Sequence, residues 1–275
     1  MPADLISRAH LCLMIADVDS KLAAVTLLRD EWQSGAVPWQ EGVHGASAEA
    51  AISPPGRPPL PRLVEPRHVS ARSPANLAGR AALLHAIAHI EFTAINLALD
   101  HLCRFREMPH QYFGDWLGVA ADEARHFRML AAHLSGMGYG YGDFPAHDGL
   151  WQMAEKTAHD ALARMALIPR TLEARGLDAT PGIQKKLEMV GDFQAARLLD
   201  TILADEIGHV ALGDRWFRYL CAQRGLFPDQ TYRDLLQEYA APRVRAPLNI
   251  AARLAAGFSA GELELLVQRT DGNSD

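Results

Sequence analysis

Asp122-Glu123-Ala124-Arg125-His126 and Asp205-Glu206-Ile207-Gly208-His209 carry one pattern, D-E-x-x-H, at two well-separated points of the chain. On an α-helix, positions i and i+3 lie about 300° apart around the axis, so the Glu and the His of each motif can address one point beside the helix. A lone E-x-x-H is weak, because a surface Glu beside an unrelated His is common. The flanking residues strengthen it. An apolar stripe at helical spacing runs Trp116, Ala120, Glu123, Phe127, Leu130 and Leu134, and another runs Leu199, Ile202, Glu206, Val210, Gly213 and Phe217. Each glutamate stands where a core residue belongs. A buried carboxylate is costly unless it meets a cation or takes up a proton.

The same interruption recurs outward from the motifs. Leu84, Ala88, Glu91, Ile95, Ala98 and Leu102 form a stripe with Glu91 in its middle, and Ala158, Leu162, Met165, Ala166, Pro169, Leu172 and Glu173 form a less regular one with Glu173 at its edge. Four inward glutamates and two histidines are the ligand set of a two-metal centre in a helix-bundle core. Spacing tests this independently, since antiparallel helices bring two ligands to one level only if the turn falls midway between them. Glu91 and Glu123 have their midpoint at 107, in the turn Glu107-Met108-Pro109-His110. Glu173 and Glu206 have theirs beside Val190-Gly191-Asp192, where Gly191 can end one helix and Asp192 cap the next. The predicted architecture is an all-α antiparallel four-helix bundle with helices at about 74–105, 110–136, 150–190 and 192–224. Ser73-Pro74 is read as its helix start, Gly136–Gly142 as the end of the second helix, and Gly176 with Thr180-Pro181 as a stop and restart in the third.

Around this bundle, Leu11, Ile15, Val18, Leu22 and Val25 predict N-terminal helices ending at Gly35. Residues 35–73, with Pro54-Pro55, Pro58-Pro59 and Pro61, predict an extended wrapping loop. A short helix is expected at 229–240, followed by a tail packed outside. Three segments follow, 1–73, 74–224 and 225–275, which together suit one compact domain. Apolar residues make up 49% and charged residues 22%, enough for a sizeable core. No window reaches the ~18 uncharged apolar residues of a membrane span, and Met1–Asp4 lacks the basic start of a secretory signal, so a cytoplasmic location is expected. Cys12, Cys103 and Cys221 are scattered and read as small buried apolar residues. A net charge of −6 gives no electrostatic pull toward nucleic acid, and Arg215, Arg218, Arg224, Arg243, Arg245 and Arg253 read as solvated helix faces.

The E…ExxH…E…ExxH order resembles the ferritin-like superfamily of di-iron carboxylate proteins, over residues of about 74–224. Within it, His89-Ile90-Glu91-Phe92, the stretch from Glu173 to Asp178 and Asp205–His209 resemble a bacterial branch with a general likeness to di-iron tRNA hydroxylases and no settled activity. The resemblance implies that Glu123 and Glu206 bridge or chelate two metal ions, that His126 and His209 give one nitrogen to each, and that Glu91 and Glu173 are terminal ligands. Mixed carboxylate and imidazole ligation suits iron first and manganese second, and argues against structural zinc. Metal-bound histidines need an acceptor for their other nitrogen, and Asp122 and Asp205 are placed to serve, Asp205 toward His126 and Asp122 toward His209. His85 and His89 are set aside, because Glu91 lies about 200° from His89 on the helix. Tyr112, Tyr139 and Tyr141 receive no role from sequence.

Two function classes are consistent with such a centre: an oxidoreductase that activates O₂ toward an organic substrate, and a ferroxidase or other metal-handling protein. A structural bundle with a manganese or vestigial site is a third. No G-x-G-x-x-G or phosphate loop occurs, so electrons would come from an external donor. The substrate and oligomeric state are left open, and tRNA stays open as a partner despite the charge.

Overall fold

Aspartate and asparagine side chains set where most of the long helices begin. The computed structural model describes residues 4–39, 54–69, 73–242, 244 and 246–271. Asp4 and Asp17 cap α1 (Leu5–Met14) and α2 (Val18–Gln33), accepting from the main-chain N–H of Ser7 and Ser20 at 2.8 and 2.9 Å. α3 (Leu77–Arg104) starts at Asn76, whose Oδ1 accepts from Gly79 N at 2.8 Å. The start expected at Ser73-Pro74 is therefore displaced: Ser73 Oγ accepts from Ala75 N at 3.3 Å in a turn that precedes the helix. α4 (His110–Gly136) follows a short turn.

The chain divides into two compact units, Met1–Trp151 and Gln152–Asp275. In the first, α3 and α4 pair along their length, with α1 against α3 and α2 against α4. The expected stripes face inward, Leu84, Ala88, Ile95, Ala98 and Leu102 on α3 and Trp116, Ala120, Phe127, Leu130 and Leu134 on α4 being buried. By length and hydropathy α3 could cross a membrane, its most apolar window averaging 1.5, but 72% of that window is buried inside the protein. The helix is long enough for a span although it contains Glu91.

Described parts of the proline-containing loop are tied down by main-chain bonds: Gly56 N donates to Leu13 O at 3.0 Å, and Val64 N donates to Ala146 O at 2.8 Å. The rest of the expected wrapping loop, 40–53 and 70–72, lies outside the described residues. A buried ammonium anchors this corner. Lys21 Nζ donates to Leu13 O (3.0 Å), to Gly56 O (2.6 Å) and to Asn96 Oδ1, and burial lowers its pKa to about 7. Gly56 is required there, since a Cβ would meet Met14 O at 2.2 Å.

α5 (Gly149–Lys156) spans the unit boundary. The second unit then holds α6 (Ala161–Leu167), a π-helical segment Ile168–Glu173, α7 (Ala174–Met189), α8 (Phe193–Gln223), α9 (Pro228–Glu238), α10 (Ile250–Ala255) and α11 (Ala260–Asp271). α6, the π segment and α7 run in succession along α8. Gly191, at φ +82°, and the Asp192 cap close the α7–α8 turn as expected.

The third helix departs from its sequence reading. It breaks at 157–160, where Asp160 Oδ1 caps α6 through Leu162 N at 3.0 Å, and runs unbroken through Gly176 and Pro181. Pro181 cannot donate to Leu177 O, and that carbonyl accepts instead from Asn249 Nδ2 at 3.2 Å. A neighbouring segment thus supplies the bond that would otherwise end the helix. The tail is correspondingly more than an outer wrap, since Arg253 is fully buried and salt-bridged to Asp178 at 2.7 Å.

All-α class, N-terminal helices, a proline-containing loop and C-terminal helices are as expected, and the three cysteines are buried and unbridged.

Candidate metal centre

In the first unit, Glu91 from α3 and Glu123 with His126 from α4 converge. Their exposures are 5%, 2% and 0%. His126 Nδ1 lies 3.1 Å from Glu91 Oε2 and 3.4 Å from Glu123 Oε2, and one ligand atom from each residue falls within 4.8 Å of the others. Glu123 and His126 reach this point together because they are three apart on one helix, and Glu91 meets them because the turn at 105–109 sets the pairing of α3 with α4.

The electrostatics follow from that crowding. Burial raises the Glu91 pKa well above 4.5, and the Glu123 carboxylate raises it further, while the His126 hydrogen bond opposes both. Burial pulls the His126 pKa down, but the hydrogen bonds that its ring donates to Glu123 and Glu91, and their charges, outweigh it and raise the pKa. Two carboxylates and an imidazole in one buried spot hold protons that a divalent cation could replace. Two oxygen donors and one nitrogen suit a metal ion of iron or manganese type, so the residues present fit the group.

The second unit carries the other motif. His209 Nδ1 lies 3.2 Å from Glu206 Oε1, with His209 4% exposed and the Glu206 side chain 14% exposed. Glu173 is the last residue of the π segment and is half-buried. Its direction is set by a widened turn rather than by the 3.6 period on which the sequence stripe was drawn. Gly213 allows the segment close to α8, because a Cβ there would meet Pro169 Cγ at 2.4 Å.

Of the two aspartates before the motifs, Asp122 Oδ1 accepts from Arg125 Nη2 at 3.2 Å and its side chain is 39% exposed, while Asp205 is half-buried on α8. His85 and His89 point away from the cluster into the glycine-rich loop after α4: Gly142 N donates to His85 Nε2 at 2.9 Å, and His89 Nδ1 meets Tyr141 Oη at 2.8 Å. Sequence reasoning left Tyr141 unassigned, since nothing in periodicity connects a loop tyrosine to a histidine 52 residues earlier.

Several late arginines are internal partners rather than solvated faces. Arg170 is fully buried between Asp214 (2.9 Å) and Glu262 (2.7 Å), within reach of the Phe217, Tyr232 and Phe258 rings. Arg218 joins the same knot, whereas Arg224 lies on a solvated face as expected and pairs there with Asp160 at 2.6 Å. Arg215 stacks on Trp216; Arg243 and Arg245 lie outside the described residues.

These observations define an all-α protein with a buried carboxylate–histidine cluster able to coordinate a metal ion. The chain belongs to the family described as "Protein of unknown function (DUF455)", whose model matches residues 14–264. It is 48% identical over 218 residues to a Haemophilus influenzae protein described as "Uncharacterized protein", an alignment covering 77% of this chain and 76% of that one. No solved structure matches it.

Proposed function

We propose that the chain is a ferritin-like di-metal carboxylate protein, with iron as the first candidate and manganese the second, acting as an O₂-activating oxidoreductase on an organic substrate. The observation that carries the reading is the cluster of Glu91, Glu123 and His126, three buried groups in which a cation would relieve the repulsion between the two carboxylates and replace the protons held. The D-E-x-x-H repeat extends it. Glu206, His209 and Glu173 would supply the remaining ligands, so that segment 74–224 works as one bundle and four carboxylates neutralise two divalent ions.

A pair of redox ions supplies electrons to O₂ two at a time. The protein's own part is to hold Glu91 and Glu123 as paired acceptors, to keep the His126 ring fixed between them, and to exclude water with the apolar residues above and below, Ala88, Ile95, Ala120 and Phe127. Asp122 and Asp205 would orient the histidines. Electrons would come from an external donor.

The discriminating experiment is anaerobic reduction of the iron-loaded chain followed by exposure to O₂ with excess reductant. Repeated O₂ consumption with return to the ferrous state supports the oxidoreductase. Accumulating ferric iron means that iron is the substrate, as in a ferroxidase, and no reaction means a structural site.

A further inference from the structure

We propose that the C-terminal helix α11 positions Glu173: its Glu262 carboxylate, acting through Arg170, holds the π segment in the geometry that aims this glutamate. That Glu173 is a metal ligand rests on the reading above; the coupling of α11 to the segment rests on the second unit's own contacts.

A widened turn has to be held, because it opens main-chain groups that a regular helix would pair. Pro169 has no N–H to give to Met165 O, and Thr171 turns its hydroxyl back onto Ala166 O at 2.8 Å. With that hydrogen spent, the Tyr232 hydroxyl supplies the next one, shared between Thr171 Oγ1 at 3.0 Å and Arg170 O at 3.2 Å. A residue of α9 thus ties the segment from outside.

The Arg170 side chain, fully buried, closes a ring of four charges. Its guanidinium pairs with Asp214 at 2.9 Å and donates to Glu262 Oε1 at 2.7 Å, and Arg218 pairs with the same two carboxylates at 2.8 and 3.2 Å. Glu262 also starts α11. In Ser259-Ala260-Gly261-Glu262 its Oε2 accepts from Ser259 N at 2.8 Å, while Ser259 Oγ accepts from Glu262 N at 3.1 Å, a reciprocal cap. Leu263 and Leu266, both buried, dock the helix that follows.

One carboxylate therefore caps α11 and neutralises Arg170. Without a formed and docked α11, the buried guanidinium loses one of its two carboxylates, a costly state that the segment relieves by opening. Glu173 stands three residues beyond Arg170, at the end of the segment. Slipping the widened turn by one residue rotates it by about 100° around the helix axis, enough to aim its carboxylate elsewhere.

The test uses the full-length chain with Glu262→Gln, which keeps the cap, since glutamine serves at that position, and removes the charge that Arg170 meets. Tyr232→Phe, which loses only the hydroxyl, is a second variant, and Glu264→Gln, exposed on α11, is the control. In metal-free protein, hydrogen exchange at the amides of residues 170–175 should quicken about tenfold beyond any change in the middle of α8 in both variants and not in the control. With cobalt(II) as the probe, read by its absorption against a competing chelator, Glu262→Gln should weaken binding roughly 10–100-fold in the parent chain and leave it unchanged in a Glu173→Ala background. Exchange at 170–175 that rises no more than in α8 overturns the proposal, as does an equal loss of cobalt affinity with and without Glu173. A Glu173→Ala chain that binds cobalt as tightly as the parent counts against the metal reading alone, because exchange decides the coupling by itself.

Discussion

The two units carry the same D-E-x-x-H motif on helices whose partners differ in regularity. In the first, α3 and α4 are regular over their whole length, and Glu91, Glu123 and His126 arrive in one buried cluster. In the second, the helix opposite α8 is broken at 157–160, widened into a π segment at Ile168–Glu173 and continued as α7, and His209 Nδ1 lies 3.2 Å from Glu206 Oε1. Both units bury charge: the first holds Lys21 among uncharged acceptors, and the second holds Arg170 with two carboxylates beside its π segment. Regular helices deliver ligands by periodicity alone; an irregular one needs specific contacts to set where its glutamate points.

The largest effect expected of this contrast is on stability. Arg170→Met leaves the buried Asp214 and Glu262 with only the half-buried Arg218 as a cation and should cost about 3–5 kcal/mol, read from the urea unfolding midpoint. Its counterpart in the first unit, Lys21→Met, strands only uncharged acceptors and should cost about 1–3 kcal/mol. Equal costs would break the comparison.

Asp205→Asn should weaken metal affinity roughly 10–100-fold while leaving the melting temperature of the metal-free chain unchanged, if the aspartate orients a ligand histidine. An unchanged affinity by competition with a chelator would remove it from the site.

A smaller effect should appear in the pH dependence of the metal-free chain. Glu91 is raised above its unfolded value near 4.5, so the folded state binds the extra proton and the stability it confers is lost as pH climbs through the folded pKa. His126, also raised, acts in the same direction, its contribution complete below 6.5 and fading above. The melting temperature should fall from about pH 5 toward pH 8 in metal-free protein, and metal should stabilise more strongly as pH rises, because binding displaces those protons. Replacing Glu91 with Gln should flatten the profile.

What was legible in the sequence tracks this division. Glu91 and Glu123 could be read as buried because α3 and α4 keep one period from end to end, and Gly191 with Asp192 marked the α7–α8 turn by local chemistry alone. Glu173 could be placed only at the edge of a stripe, since Pro169 and the π segment break the period that such a reading assumes. Helix stops were misread where a distant group satisfies the backbone, as Asn249 does for Leu177 opposite Pro181. Lys21, Arg170 and the Tyr141–His89 pair were invisible for the same reason: their partners come from loops and tails, with no repeat to announce them.

The central claim, that both motifs pool their ligands to hold two ions, is tested most directly by native mass spectrometry of the chain expressed with iron, beside Glu123→Ala and Glu206→Ala. The account predicts two metal ions per parent chain and loss of metal in both variants. A folded parent chain that carries no metal would contradict it, as would a Glu206→Ala chain that keeps the full complement.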